Sequence, residues 1–255
     1  MKLMFLGTGT SQGVPVITCK CGVCRSSDSR DKRLRTSALI ETDDGRNILI
    51  DIGPDFRQQM LREVVTHIDA VLITHAHRDH VAGIDDIRAF NYVQQQPLDL
   101  YGNSIALNTL KRDYGYIFSE HEYPGLPEAT LHEVSADEPF MAAGVEVVPI
   151  AAMHKDLPIL GYRIGDIAYV TDANYIAPQE LEKLVGVKVM VLNALRQEHH
   201  WSHYSLPEAL SVIERVGSER AYLTHVSHEM GLYEEVSRTL PDGVCLAYDG
   251  LTVVI

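Results

Sequence analysis

The residues able to do chemistry in this sequence come in clusters. In Ile73-Thr74-His75-Ala76-His77-Arg78-Asp79-His80, three histidines and one aspartate fall within six residues, directly after the apolar run Ala70-Val71-Leu72-Ile73. Such a run reads as a short buried strand with the cluster at its end. Imidazole is the commonest metal ligand and carboxylate its usual partner, so four candidate ligands on one turn can serve two ions rather than one. An extended backbone points His75 and His77 the same way, while Asp79 and His80 turn toward a neighbouring position. A second cluster, Cys19-Lys20-Cys21-Gly22-Val23-Cys24, brings three thiols together around a glycine. A tetrahedral structural zinc there needs a fourth ligand from a distant element; the alternative is three reduced, unligated thiols.

Other apolar runs repeat the placement of a ligand at a strand's end. His154 follows Val145 to Ile150, Asp172 terminates Ile167 to Thr171, and Ala221 to Thr224 ends in His225, three residues before His228. The first-shell candidates are therefore His75, His77, Asp79, His80, His154, Asp172 and His225. Asp51 interrupts the apolar run Ile48 to Ile52, where a carboxylate is costly unless bonded, and is expected to orient the loop or a ligand histidine. His199-His200-Trp201-Ser202-His203 adds further histidines after the run Lys188 to Asn193.

As a set, His-x-His-x-Asp-His at 75 to 80, then His154, Asp172 and His225, resembles the metallo-β-lactamase superfamily. The resemblance, which spans most of the chain, implies an α/β fold, a four-layer αββα sandwich; the order of strands and helices without a composition break favours a single domain over 1–255. The resemblance also implies one ion on His75, His77 and His154, another on Asp79, His80 and His225, and Asp172 between them. Cys19, Cys21 and Cys24, with His228 three residues after His225, resemble the PhnP-like cyclic phosphodiesterase branch. The likeness implies a structural zinc on those four residues, in a small loop at about 15–30. The histidine-rich segment before Ser205 resembles the place where this branch and ribonuclease Z supply a general acid: His203 first, His200 second.

The activity so implied is metal-dependent hydrolysis of a small phosphodiester, cyclic ribose-type or nucleotide-type. Two divalent ions, zinc or manganese, can lower the pKa of a shared water and offset charge growing on phosphorus. In this reading a hydroxide so generated would attack phosphorus while His203 would protonate the leaving oxygen. Two alternatives use the same cage: a ribonuclease Z-like tRNA-processing enzyme, and a thioester or lactone hydrolase. A homodimer is expected from the resemblance alone.

The elements that must position these groups follow from pattern. Strands are predicted at 2–6, 37–41, 48–52, 70–73, 98–102, 130–134, 145–152, 160–164, 167–171, 188–193 and 221–224. A hairpin is expected around Asp43-Asp44-Gly45, and a closing one joins 244–248 to 251–255. Helices are expected from Pro54 to about His67, from Gly83 to about Gln95, from the capping box Ser205-Leu206-Pro207-Glu208 to about Val216, and over 229–239. Residues 104–129, with Tyr114, Tyr116, Phe118, His121 and Tyr123, read as an irregular excursion over the site or a subunit contact. The glycine-rich Gly7 to Gly13 stretch lacks the dinucleotide fingerprint and is expected to let backbone pass close to a site or strand.

The 255 residues, 45% apolar and 22% charged, suit a globular protein with a sizeable core. A formal charge of −13 argues against a broad footprint for extended nucleic acid or an anionic membrane. Met1 to Leu6 is too short for a signal peptide and no run approaches a membrane helix, so a cytoplasmic location is expected. Arg33, Arg35 and Arg196 are possible phosphate contacts, with solvated charge as the alternative.

Overall fold

The computed structural model of the chain describes residues 1–119 and 125–255. Its strands are β1 (Lys2–Gly7), β2 (Ser37–Glu41), β3 (Asn47–Ile50), β4 (Ala70–Leu72), β5 (Leu98–Gly102), β6 (Ala129–Glu133), β7 (Phe140–Ala142), β8 (Val145–His154), β9 (Leu157–Ile164), β10 (Ile167–Val170), β11 (Tyr175–Ile176), β12 (Val189–Asn193), β13 (Arg220–Thr224), β14 (Val244–Leu246) and β15 (Thr252–Val254). One sheet has the order β15-β1-β2-β3-β4-β5-β6. The other runs β11-β8-β9-β10-β12-β13-β14, with β7 paired to β8.

Strands such as β4, and β12 up to its last residue Asn193, are apolar at successive positions because both faces of each sheet are covered. Leu3, Phe5, Ile40, Ile50 and Leu72 meet Tyr162, Tyr169, Val189 and Val191 in a core between the sheets. The opposite face of the first sheet packs Leu39, Leu49 and Val71 against Phe56, Phe90 and Leu107 of the helices Phe56–Glu63, Arg88–Gln94 and Ser104–Asp113. On the second sheet, Val170, Leu192 and Leu223 meet Leu181, Val212 and Val236 of the helices Pro178–Glu182, Leu206–Val216 and Tyr233–Ser237. The layers are helices, sheet, sheet, helices, as the αββα expectation has it.

Several boundaries differ from the sequence reading. The helix expected from Pro54 to His67 spans Phe56–Glu63, because Val64 turns left-handed at φ 54 and ends it. Residues 104–113 form a regular helix capped by the Asn103 side chain on the Ala106 amide, and 115–118 form another turn, so this part is not an irregular excursion. His121 and Tyr123 lie outside the described residues. Helix 229–239 shrinks to Tyr233–Ser237, since Gly231 at φ 112 breaks the path before it. The closing hairpin does not form: β14 runs parallel to β13 in one sheet and β15 antiparallel to β1 in the other. The turn at Asp249-Gly250 carries the chain between sheets instead of folding it back.

Parallel pairing aligns β3 with β4 and β10 with β12 and β13, and β8 shares the direction of β10 through the antiparallel β9. The ends of β3, β4, β8, β10 and β13 therefore bring Asp51, His75 to His80, His154, Asp172 and His225 to one edge of the sandwich. Two glycines let the loops there interlock. A Cβ on Gly53 would lie 2.2 Å from the Asp79 carbonyl oxygen, and one on Gly83 would lie 2.1 Å from that of Gly53. Ile52 donates to the His80 carbonyl at 2.7 Å and Gly83 to that of Ile52 at 2.9 Å. Gly53→Ala should cost about 1–3 kcal/mol through overpacking, a fall of roughly 2–10 °C in Tm. An unchanged melting curve would contradict the close approach.

Candidate metal centre

Two strand ends, those of β4 and β8, converge first on His75, His77 and His154, whose ligand atoms lie within 4.8 Å of one another; Asp79, His80, Asp172 and His225 form a second such group. Asp172 lies between the two. Its Oδ1 is 3.3 Å from His80 Nε2, and its Oδ2 is 3.1 Å from His225 Nε2 and 3.9 Å from His75 Nε2. Asp79 Oδ2 stands 3.3 Å from His80 Nε2 and 3.5 Å from His225 Nε2. Of these residues only His77 is exposed.

The other edge of several rings is already engaged. His80 Nδ1 bonds to Asp51 Oδ2 at 2.7 Å, His154 Nδ1 to the Ser202 carbonyl at 2.8 Å, and His75 Nδ1 lies 3.1 Å from Thr74 Oγ1. Asp51, fully buried, also accepts from the Thr74 amide and hydroxyl, both at 2.8 Å. These bonds turn the Nε2 atoms inward. Buried Nε2 atoms of His75, His80 and His225 have no hydrogen-bond partner among the described residues. Buried polar nitrogens are rarely left so, and a convergent set of them beside carboxylates fits a pair of divalent cations. A cleft of about 150 Å³ opens beside His75 and His77, lined also by Asn103, Ile105, Leu157 and Pro158.

His203 joins His154 and Asp172 in a third group. Its ring centroid is 4.6 Å from that of His154 and 4.8 Å from that of His225. His200 belongs to none of these groups among the described residues; it sits one ring further out, 5.4 Å from His203. Arg33 is buried on Thr8 and the Ala247 carbonyl, Arg35 pairs with Asp55 at 2.9 Å, and Arg196 pairs with Glu229 at 2.7 Å. All three are engaged elsewhere, and Arg33 is not a solvated charge.

Across the same floor, His228 Nδ1 stands 3.4 Å from both Cys19 Sγ and Cys21 Sγ, and the ligand atoms of Cys19, Cys21, Cys24 and His228 fall within 4.8 Å of one another. The Cys24 amide and then His228 pull the Cys21 thiol down to about 6, whereas burial pushes Cys24 up to about 11. A low-pKa thiolate beside a histidine and two further thiols is a donor set suited to zinc.

A family model described as "Beta-lactamase superfamily domain" matches residues 46–226. The chain belongs to the metallo-β-lactamase superfamily. A solved diphosphatase from the PhnP family superposes with a TM-score of 0.92 at 38% identity, covering 100% of this chain and 97% of that one, which puts the chain in the PhnP-like branch. A protein of Porphyromonas gingivalis named octanoyltransferase is 43% identical over 256 residues, 100% of this chain; the chain spans about half of that relative's length (52%). Zn(2+)-bound PqqB from Methylobacterium extorquens shares the fold, with a TM-score of 0.80 at 20% identity and full coverage of both chains.

The sequence reading missed the supporting hydroxyls and carbonyls of this metallo-β-lactamase site. Thr74, Thr171 and Thr224 each immediately precede a ligand candidate, and Thr171 Oγ1 donates to Asp172 Oδ1 at 2.7 Å. That recurring threonine was a readable signal. The Ser202 carbonyl carried none, because any residue supplies one.

Without metal the cage is an electrostatic compromise. Burial holds the pKa values of His75, His77 and His203 down, the last to about 3. Burial also opposes charge on His80, but Asp172, Asp79 and Asp51 together raise it well above the ordinary value. For the three lowered histidines the unfolded chain takes up protons first as pH falls below about 6.5, which destabilises the fold; His80 has the opposite sign. His200 is also held down by burial, and four against one predicts that chelator-treated protein loses Tm as pH drops from 7.5 to 5.5; a flat or rising profile would contradict this. Asp51→Asn should weaken metal affinity by roughly 10- to 100-fold in competition with a chelating indicator. Unaltered affinity would mean that the His80 contact does not position a ligand.

Proposed function

We propose that this chain is a di-metal phosphohydrolase acting on a small phosphodiester or the diester of a diphosphate. The observation carrying the reading is the pair of ligand clusters at one sandwich edge, with Asp172 a member of one and its Oδ2 3.9 Å from His75 Nε2 of the other. The 38% identical diphosphatase of the PhnP family adds support for phosphorus rather than carbon as the reacting atom. Bound there, two divalent ions, zinc or manganese, supply a water of near-neutral pKa and a counter-charge for the phosphoryl oxygens.

The residues do the rest. Asp51 and Thr74 fix the ring of His80, and the Ser202 carbonyl fixes that of His154. Burial alone would raise the Asp79 carboxyl, yet the charge of His80 and the close approach of the His225 and His80 rings hold it well below the usual range, so it remains ionised. Asp172 is likewise held down against burial by His225 and His80. His203, beside both clusters, is the group we assign to the leaving oxygen. Burial disfavours its proton, and an anionic phosphate against the ring offsets that cost. His200 stands behind it as a relay to solvent. Cys19, Cys21, Cys24 and His228 hold a structural zinc in this reading.

Metal-loaded protein should hydrolyse bis-p-nitrophenyl phosphate, a 2′,3′-cyclic nucleotide or a ribose cyclic phosphate, and chelation should abolish the activity. His203→Ala should lower kcat by roughly 10²- to 10⁴-fold on a diester with an alkoxide leaving group and less on the nitrophenyl ester. A second reading, an acyl thioester hydrolase, draws on the relative named octanoyltransferase. Turnover of an octanoyl thioester or a lactone, with no phosphodiester cleaved, would overturn the first reading in favour of the second.

A further inference from the structure

Trp201 is the only tryptophan in the chain and remains 61% exposed. Tryptophan is ordinarily among the more buried residues, and its place here is the loop between His200 and His203. Its ring stacks on that of His200 at 5.3 Å and 29°. His200 lies 5.4 Å from His203, and His203 4.8 Å from His225. The indole thus stands a few ring steps out from the cage.

A cation shares that position. The ammonium of Lys155, which directly follows His154, rests 4.7 Å from the Trp201 ring centroid. The Lys155 backbone turns left-handed at φ 55, and its amide donates to Asn174 Oδ1 at 2.8 Å, while Asn174 Nδ2 donates to the Trp201 carbonyl at 3.3 Å. Three loops, each adjoining a cage residue (His154, Asp172, His203), are therefore laced into one rim. The Lys155 side chain is about half exposed, and its nearest carboxylate is Asp156 at 3.7 Å, so it can leave the ring when another flat group arrives.

We propose that Trp201 and Lys155 form a stacking site for the base of a nucleoside, which makes nucleoside phosphodiesters the substrate class; the inference rests on the phosphohydrolase reading above. An indole offers a sequence-tolerant face to any base, and the lysine over it brings a positive charge within reach of a phosphate oxygen in an otherwise acidic chain. An isolated sugar phosphate has nothing to lay on the ring.

The single tryptophan makes the test direct. Metal-loaded protein titrated with thymidine 5′-monophosphate should show saturable quenching of tryptophan fluorescence, and ribose 5-phosphate should not produce it. Thymidine 5′-p-nitrophenyl phosphate and methyl p-nitrophenyl phosphate share a leaving group and differ in the nucleoside. The wild type should prefer the first by on the order of 10- to 100-fold in kcat/KM. Trp201→Ala should bring that ratio near one, and Trp201→Phe should keep most of it. An equal ratio in wild type and Trp201→Ala, or quenching that does not distinguish the two ligands, overturns the stacking site. If neither ester turns over, the phosphohydrolase reading falls, and the fluorescence titration still decides whether the rim binds a base.

Discussion

The Asp51 carboxylate has no exposed surface, and the geometry of the cage depends on how that burial is compensated. Burial raises its pKa, while the charge of His80 and the bonds from His80 and Thr74 act against that rise. The carboxylate therefore requires a His80 ring turned one way and a Thr74 backbone held in one place, and both lie on the loop that carries His75 and His77. A buried acceptor with three donors costs little; remove a donor and the desolvation is uncompensated. The requirement reaches through the interlocked glycines as well, since Ile52 and Gly53, next to Asp51, seat against the backbone of Asp79 and His80.

Strained backbone gathers at the same edge. Asp51, Lys155, Asp172 and His225 have φ values of 62, 55, 62 and 54, each within two residues of a strand's end. Left-handed conformations are uncommon outside glycine, tolerated best by Asn, Asp and His, and persist where surrounding structure over-determines them. At Asp51, Asp172 and His225 this conformation turns the side chain sideways off the end of its strand toward the cage, where continuing the strand would carry it past. The sandwich supplies rigidity, and these residues convert parallel strand directions into convergent ligands.

This explains what could be read in the sequence and what could not. Ligand candidates were legible because each is a polar residue ending an apolar run, a pattern that burial on both faces of a sheet enforces. Two packed sheets flanked by helices followed from the order of strands and helices, and the superfamily resemblance of the ligand residues named that arrangement as αββα. Helix ends were less legible: Val64 stops a helix in a left-handed turn that nothing in a valine announces. The fate of 244–255 was hidden for a different reason. Two short apolar runs around Asp-Gly signal a hairpin locally, yet β14 finds a parallel partner in β13 and β15 an antiparallel one in β1, and long-range pairing prevails. Trp201 gave no signal of its exposure, since a lone aromatic is more often core.

The central claim is that two ions share the cage through Asp172 while a separate zinc sits on the cysteines and His228. Metal content of purified wild type and Asp172→Ala, by elemental mass spectrometry on folded protein, tests it most directly. The account predicts about three ions per wild-type chain and loss of the cage pair in the variant, with the cysteine-bound zinc retained. A variant that keeps the full wild-type complement would contradict it.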